Sequence, residues 1–221
     1  MNNIKLVIFD VDGLILDTES VWQKAWQIVG EDYGIKNLGT TIFLDLIGIN
    51  GKDVESILHE KLSYISNPLE LLTSVKRKGQ ELLNTKIDIK PGVFELLDFL
   101  DQNNIKKAVA TATPRQSTFG RLKKLNLWDR FDFVLCGDEV LKRKPNPEIY
   151  LNIVKEMNIS KDECLILEDS KVGVKAAFNA DIPCIMVPDL LLPTKEEEAK
   201  TYSIVNNLYD VKKILGDLLS S

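Results

Sequence analysis

Five short apolar runs, each ending in a polar or small residue, restrict what this chain can fold into: 6–9 before Asp10, 108–110 before Thr111, 133–135 before Cys136 and Gly137, 165–167 before Glu168, and 184–187 before Pro188. Runs this short, without alternation and rich in β-branched residues, fit strands buried on both faces of a parallel sheet. Helical spacing fills the gaps between them. Val93, Leu96, Leu97 and Leu100 follow i, i+3, i+4, i+7, as do Ile149, Tyr150, Ile153, Val154 and Met157, with Asn146 as the expected N-cap and Pro147 at the first helical position. Alternating strands and helices predict an α/β fold, a doubly wound, Rossmann-like parallel sheet.

One connection is far longer than the dozen or so residues a crossover needs. Between the first strand and the run at Ala108 lie three helical patterns of their own: Val21, Trp22, Ala25, Ile28 and Val29; Val54, Ile57, Leu58 and Leu62; Leu71, Leu72, Val75, Leu82 and Leu83. The last opens on Asn67, Pro68 and Glu70, an N-cap, a first-position proline and an N3 glutamate in the right order. The expectation is an inserted all-helical cap domain over residues 15–85, with the catalytic core made of residues 1–14 and 86–221.

A single histidine narrows the chemistry. His59 lies on an amphipathic pattern far from every strand end, which argues against triads and phosphohistidine catalysis and excludes multi-histidine metal sites, so carboxylates are expected to do the acid and base work. The chain carries 28 Lys+Arg against 33 Asp+Glu, a net charge of −5 with no basic block, which argues against nucleic acid and membrane partners and for small molecules. Cys136, Cys164 and Cys184 are odd in number and sit in or beside apolar runs, as thiols in a reducing compartment do. The N-terminal apolar segment is too short and too acidic for a signal peptide. A cytoplasmic monomer is expected.

The strand ends carry the chemistry. Asp10 and Asp12 project to the same side where the first strand finishes, and Gly13 permits an immediate turn; alone, Asp-x-Asp-Gly serves equally as a metal site or an acidic turn. A calcium loop is excluded because Leu14, Ile15 and Leu16 supply no oxygen ligands. Thr111, followed by Ala112 and Thr113, offers a hydroxyl and backbone N–H groups before a helix, which suits phosphate oxygens or a plain N-cap. Lys144 is a fixed cation between Arg143 and Pro145, or a surface lysine. Glu168 and Asp169 end a buried run, and adjacent acids there need a positive charge, because like charges near 4 Å repel by about 4 kcal/mol at an effective dielectric of 20. All candidate ligands are oxygen, which favours Mg²⁺ over zinc. No phosphate-binding G-x-x-x-x-G-K-[ST] loop occurs.

Phe9-Asp10-Val11-Asp12-Gly13, Thr111-Ala112-Thr113, Lys144-Pro145 and Glu168-Asp169-Ser170 resemble the four motifs of the haloacid dehalogenase superfamily, in order. The helical insert, Asp17-Thr18-Glu19, and the continuation Gly173, Ala176, Ala177 resemble its subgroup of β-phosphoglucomutase and small-metabolite phosphatases. That resemblance implies that Asp10 attacks phosphorus to form an aspartyl-phosphate and that Asp12 protonates the leaving oxygen and later activates water. Thr111 and Lys144 would hold phosphoryl oxygens. Mg²⁺ would sit on the Asp10 carboxylate, the Asp12 main-chain carbonyl and Asp169, with Glu168 in or next to that shell. The superfamily's dehalogenases and phosphonate-cleaving members lack the second acid, so Asp12 points to phosphate esters.

Against the mutase pattern, Trp22 replaces a cap histidine and Gly51 replaces an arginine after Gly48, whereas Lys76 is retained. A mutase must bind and reorient a bisphosphate, so the expected activity is Mg²⁺-dependent hydrolysis of a small phosphorylated metabolite, a sugar phosphate or nucleotide-type monoester, with the mutase as alternative. Thr111, Ala112, Thr113, Arg115, Lys144, Trp22 and Lys76 are the candidate substrate contacts, and Lys52 a further one. A receiver-like phospho-acceptor switch is the competing class; receivers are shorter and lack an insert.

Overall fold

The computed structural model describes residues 3–47, 49 and 51–220. Gly48 lies outside them, as do the surroundings of Gly51 and Lys52, so the comparison at those positions and the candidate contact from Lys52 receive no structural account. By contacts the chain divides into two compact units, residues 1–16 with 89–221, and residues 17–88.

The first unit is built on β1 (Leu6–Phe9), β2 (Lys106–Thr111), β3 (Phe133–Cys136), β4 (Cys164–Glu168), β5 (Cys184–Met186) and β6 (Ser203–Ile204), in the order β3-β2-β1-β4-β5-β6. Every pairing is parallel, and Phe9 stands opposite Val109 on one side and Leu167 on the other. All strands therefore finish along one edge. The order runs outward in opposite directions from β1 and β4, which makes the crevice beyond their carboxyl ends the switch point where such sheets bind ligands.

The helices of this unit are α5 (Val93–Gln102), α6 (Arg115–Lys124), α7 (Glu148–Met157), α8 (Lys171–Ala180), α9 (Lys195–Lys200) and α10 (Leu208–Leu219). Leu6, Ile8, Ala108, Ala110 and Ile166 pack with Ile149, Tyr150 and Ile153 of α7 and with Val174, Ala176, Ala177 and Ala180 of α8. The alanines bring α8 close to the sheet, and truncating a large member such as Ile8 would cost about 2–5 kcal/mol. Two expectations need correction. Helix α7 is bounded at Glu148, one residue later than expected, with Pro147 in the cap position, although the Asn146 side chain accepts the Glu148 N–H at 3.1 Å as the expected N-cap would. Ile15 and Leu16 belong with the sheet rather than the insert: both are buried, the Val11 carbonyl accepts both their amides, and Leu16 bridges Ile89.

The second unit contains α1 (Thr18–Asp32), α2 (Ile42–Leu46), α3 (Gly51–Lys61) and α4 (Pro68–Thr85). Asn67 caps α4 as its sequence predicts, accepting the Glu70 amide at 3.2 Å. Helices α1 and α4 pack closely because Gly79 has no side chain: a Cβ there would fall inside the Trp22 ring. No helix among the described residues is long and apolar enough to cross a membrane.

Candidate active site

Parallel strands converge their carboxyl ends, so residues 134 positions apart meet. Lys144 Nζ donates to Asp10 Oδ1 at 2.6 Å, to Glu168 Oε1 at 2.6 Å and to the Ala110 carbonyl at 2.9 Å, which uses all three ammonium protons. The trio is dry, the Lys144, Asp10 and Glu168 side chains being 6%, 10% and 0% exposed. Tyr150 completes it from α7: its hydroxyl donates to Glu168 Oε1 at 2.6 Å and its ring lies 5.1 Å below the Lys144 ammonium. The Ser170 hydroxyl reaches Glu168 Oε2 at 3.0 Å and also caps α8 by accepting the Gly173 amide. A Cβ on Gly173 would overlap the Glu168 carboxylate, so only glycine fits there. Both oxygens of Glu168 thus already accept protein hydrogen bonds.

Asp12 is placed differently. Its Oδ2 accepts the Thr113 hydroxyl at 2.7 Å and the Thr111 hydroxyl at 3.4 Å, and its Oδ1 accepts Arg121 Nη1 at 3.0 Å. Thr111 Oγ1 in turn accepts the Thr113 amide at 3.1 Å, shaping the turn after β2. Gly137 lets β3's exit pass that turn, since a Cβ would meet the Ala112 carbonyl. Gly13, at φ +88, does the same for Asp169, whose carboxylate occupies the space of the missing Cβ.

Charge here is unbalanced. Burial raises the Asp10 carboxyl to about 7; the Lys144 ammonium opposes this, and Glu168 and Asp12 reinforce it. Burial pulls Lys144 down, but Asp10 and Glu168 outweigh it and hold the ammonium well above its ordinary value. Burial leads the Asp10 shift, and the surplus of carboxylates around one ammonium adds to it while raising Lys144. Asp10, Glu168 and Asp169 each present a carboxylate oxygen, all within 4.8 Å of one another. An all-oxygen donor set with surplus negative charge fits a hard divalent cation such as Mg²⁺.

Asp10, Asp12, Thr111, Thr113, Lys144, Glu168 and Asp169 therefore meet at one edge, with Ala112 in the turn between the threonines. Arg115 is committed elsewhere: its guanidinium binds the Glu139 carboxylate at 2.7 and 2.9 Å and the Val134 carbonyl at 2.6 Å, so we withdraw it as a phosphate contact. The proline before it and the acids after β3 explain this, since α6 starts against the β3 exit. Trp22 and Lys76 line a cavity of about 360 Å³ inside the helical unit, together with Trp26, Phe43 and Leu72. Sequence reasoning missed Arg121, which follows no strand end, and the role of Tyr150, whose helical spacing signals only core.

Residues 7–187 match the sequence model of the family described as haloacid dehalogenase-like hydrolase. Among curated proteins, a phosphorylated carbohydrates phosphatase of Thermotoga maritima is 32% identical over 212 residues, covering 96% of this chain and 90% of that one. The beta-phosphoglucomutase of Bacillus subtilis is 27% identical over 224 residues, 91% and 98% of the two chains. A crystal structure from Thermotoga maritima, 31% identical, superposes with a TM-score of 0.79 over 97% of this chain and 99% of its own. With the family match spanning most of the chain and the same architecture in a solved relative, this chain belongs to the haloacid dehalogenase-like hydrolases.

Proposed function

We propose that the chain is a Mg²⁺-dependent phosphatase of small phosphorylated metabolites, sugar phosphates first among them, working through an aspartyl-phosphate on Asp10. The observation that carries this reading is the Lys144–Asp10–Glu168 trio at the β1/β4 crevice, with Asp12 two residues beyond Asp10 and held by separate partners. A carboxylate pinned through one oxygen by an ammonium is a fixed nucleophile, and fixed geometry is a large part of what such a reaction needs.

In the first half-reaction an Asp10 oxygen bonds to phosphorus as the bond from phosphorus to the leaving oxygen breaks, and Asp12 gives that oxygen its proton. In the second, Asp12 takes a proton from water as the water oxygen bonds to phosphorus; the bond to Asp10 breaks and inorganic phosphate leaves. Lys144 and the Thr111 turn face the charge that gathers on the phosphoryl oxygens. Asp10, Asp169 and the Asp12 main-chain carbonyl would hold Mg²⁺, and bound there the ion would neutralise charge shared by nucleophile and phosphate. Glu168, with both oxygens already engaged, orients Lys144 rather than acting as a primary ligand. Residues 17–88 are read as a cap domain whose Trp22 and Lys76 contact substrate, on the ground that they line a cavity of ligand size.

The mutase alternative is supported by the similarity to the Bacillus subtilis beta-phosphoglucomutase and by the retained Lys76. A panel of sugar phosphates and nucleotide monoesters, assayed with and without glucose bisphosphate, separates the two. Phosphate release without the bisphosphate is expected, dependent on Mg²⁺ and abolished in Asp10→Asn; no release from the wild-type protein with metal present would end the phosphatase reading.

A further inference from the structure

We infer that Arg121 is a positioning residue for Asp12, fixing which of its oxygens handles the proton. The inference rests on the proposed role of Asp12 and goes beyond it. Three basic residues, Arg121, Lys123 and Lys124, occupy the last turn of α6. Lys123 turns outward to the exposed Asp129, whereas Arg121 turns inward, its side chain 13% exposed against an Asp12 side chain 22% exposed. A partly wet ion pair between a helix end and a loop contributes little to stability, so stability alone is a weak reason for this one.

The donor chemistry is the stronger reason. A guanidinium has five donors and no acceptor, so Asp12 Oδ1, bonded to Arg121 at 3.0 Å, is kept as an acceptor whatever the state of the carboxyl. Oδ2 faces the Thr113 hydroxyl at 2.7 Å, and a hydroxyl either donates or accepts, so that partner tolerates both an ionised and a protonated oxygen. The asymmetry assigns proton delivery and uptake to Oδ2. It also holds the carboxyl in one rotamer through both half-reactions, where a freely turning group would spend time out of reach of the leaving oxygen.

Leaving groups supply a test that a structural role would not pass. Phenoxide needs a proton as it departs far more than p-nitrophenoxide does, and kcat/KM reports only the steps through Asp10 phosphorylation. For Arg121→Gln, kcat/KM on phenyl phosphate is expected to fall by about ten- to a hundredfold, with p-nitrophenyl phosphate changed by less than about threefold. Arg121→Lys, which keeps the charge and a donor, should recover part of the loss, and the thermal midpoints of both variants should stay within a few degrees of wild type. Equal losses on both esters, or no loss on either, would overturn the inference. Asp12→Asn in the same assay separates the two levels. If it shows the leaving-group effect and Arg121→Gln does not, the positioning role fails alone; if Asp12→Asn shows none, the general-acid reading fails and takes this inference with it.

Discussion

Asp10 and Asp12 leave the same strand end two residues apart, yet they enter opposite kinds of environment. Asp10 faces a dry trio whose ammonium spends every proton on protein acceptors, while Asp12 faces hydroxyls and a guanidinium in a partly wet position. The difference matches the separate roles proposed for the two carboxylates. The nucleophile and metal ligand proposed at Asp10 gains from being immobile, and the Lys144 ammonium opposes the rise that burial gives its carboxyl. A group that must gain and lose a proton in each turnover needs partners that tolerate both states, with water near enough to exchange.

Breaking the dry side should give the largest effect. Lys144→Met keeps the volume and leaves two buried carboxylates without their cation. Breaking a buried ion pair from one side costs about 3–5 kcal/mol, which in a chain of this size lowers the thermal midpoint by about 10 °C. Asp10, already raised to about 7, can limit the damage by holding a proton, but a protonated Asp10 is no nucleophile. Calorimetry of metal-free protein should show the drop, and phosphatase turnover should fall by at least about a thousandfold, since both the buried positive charge beside the phosphoryl group and the nucleophile's ionisation are lost. Retained stability would mean that the trio is wetter than its burial implies.

The sheet and the strand-end acids were legible because buried parallel strands have no alternation to blur them, and because any chemistry in such a fold must stand where strands stop. Residues 6–9 and 165–167 announce themselves as apolar, and the acids that follow can have few other reasons to be there. What was not legible depends on contacts between distant segments. Arg121 lies on a polar helix where a solvated arginine is the default, and only the fold shows that its turn of α6 reaches the loop after β1. Tyr150 fits the apolar spacing of α7, so nothing local reveals that its hydroxyl meets Glu168. Arg115 erred the other way: nearness to Thr111 in sequence suggested a phosphate contact, whereas Glu139, two dozen residues on, holds it. The two-residue β6 and the six-residue α9 before it lacked a long enough pattern to register.

A milder break on the same side is Tyr150→Phe. It removes one donor to a buried carboxylate and keeps the ring beneath the ammonium, so the cation–π contact survives. Hydrogen bonds to charged groups contribute about 1.5–3 kcal/mol, and Glu168 retains Lys144 and Ser170, which places the expected loss near the lower value. Denaturant unfolding should report about 1–2 kcal/mol, and turnover should fall by no more than about tenfold if Glu168 acts only by steadying Lys144. A loss of metal affinity much larger than the loss of stability would instead make Glu168 a primary ligand.

The smallest effect should come from Arg115→Gln, which tests where the site ends. Arg115 sits four residues after Thr111 and is a cation beside the turn proposed to bind phosphate, so proximity alone would make it a substrate contact. Its partners argue otherwise, because the guanidinium is spent on Glu139 and on the Val134 carbonyl. The same Glu139 carboxylate also accepts the Cys136 amide, so Glu139 keeps a partner when Arg115 is removed. The Arg115 side chain is 40% exposed and its partner 32%, and pairs this wet contribute about 0.2–1 kcal/mol. The expected result is a stability change within about 1 kcal/mol, with kcat and KM for p-nitrophenyl phosphate both within about twofold of wild type. A rise in KM without a change in kcat would mean that Arg115 leaves Glu139 when an anion arrives, and the boundary between the acid-rich site and the surface pairs of α6 would have to be drawn one turn further along that helix.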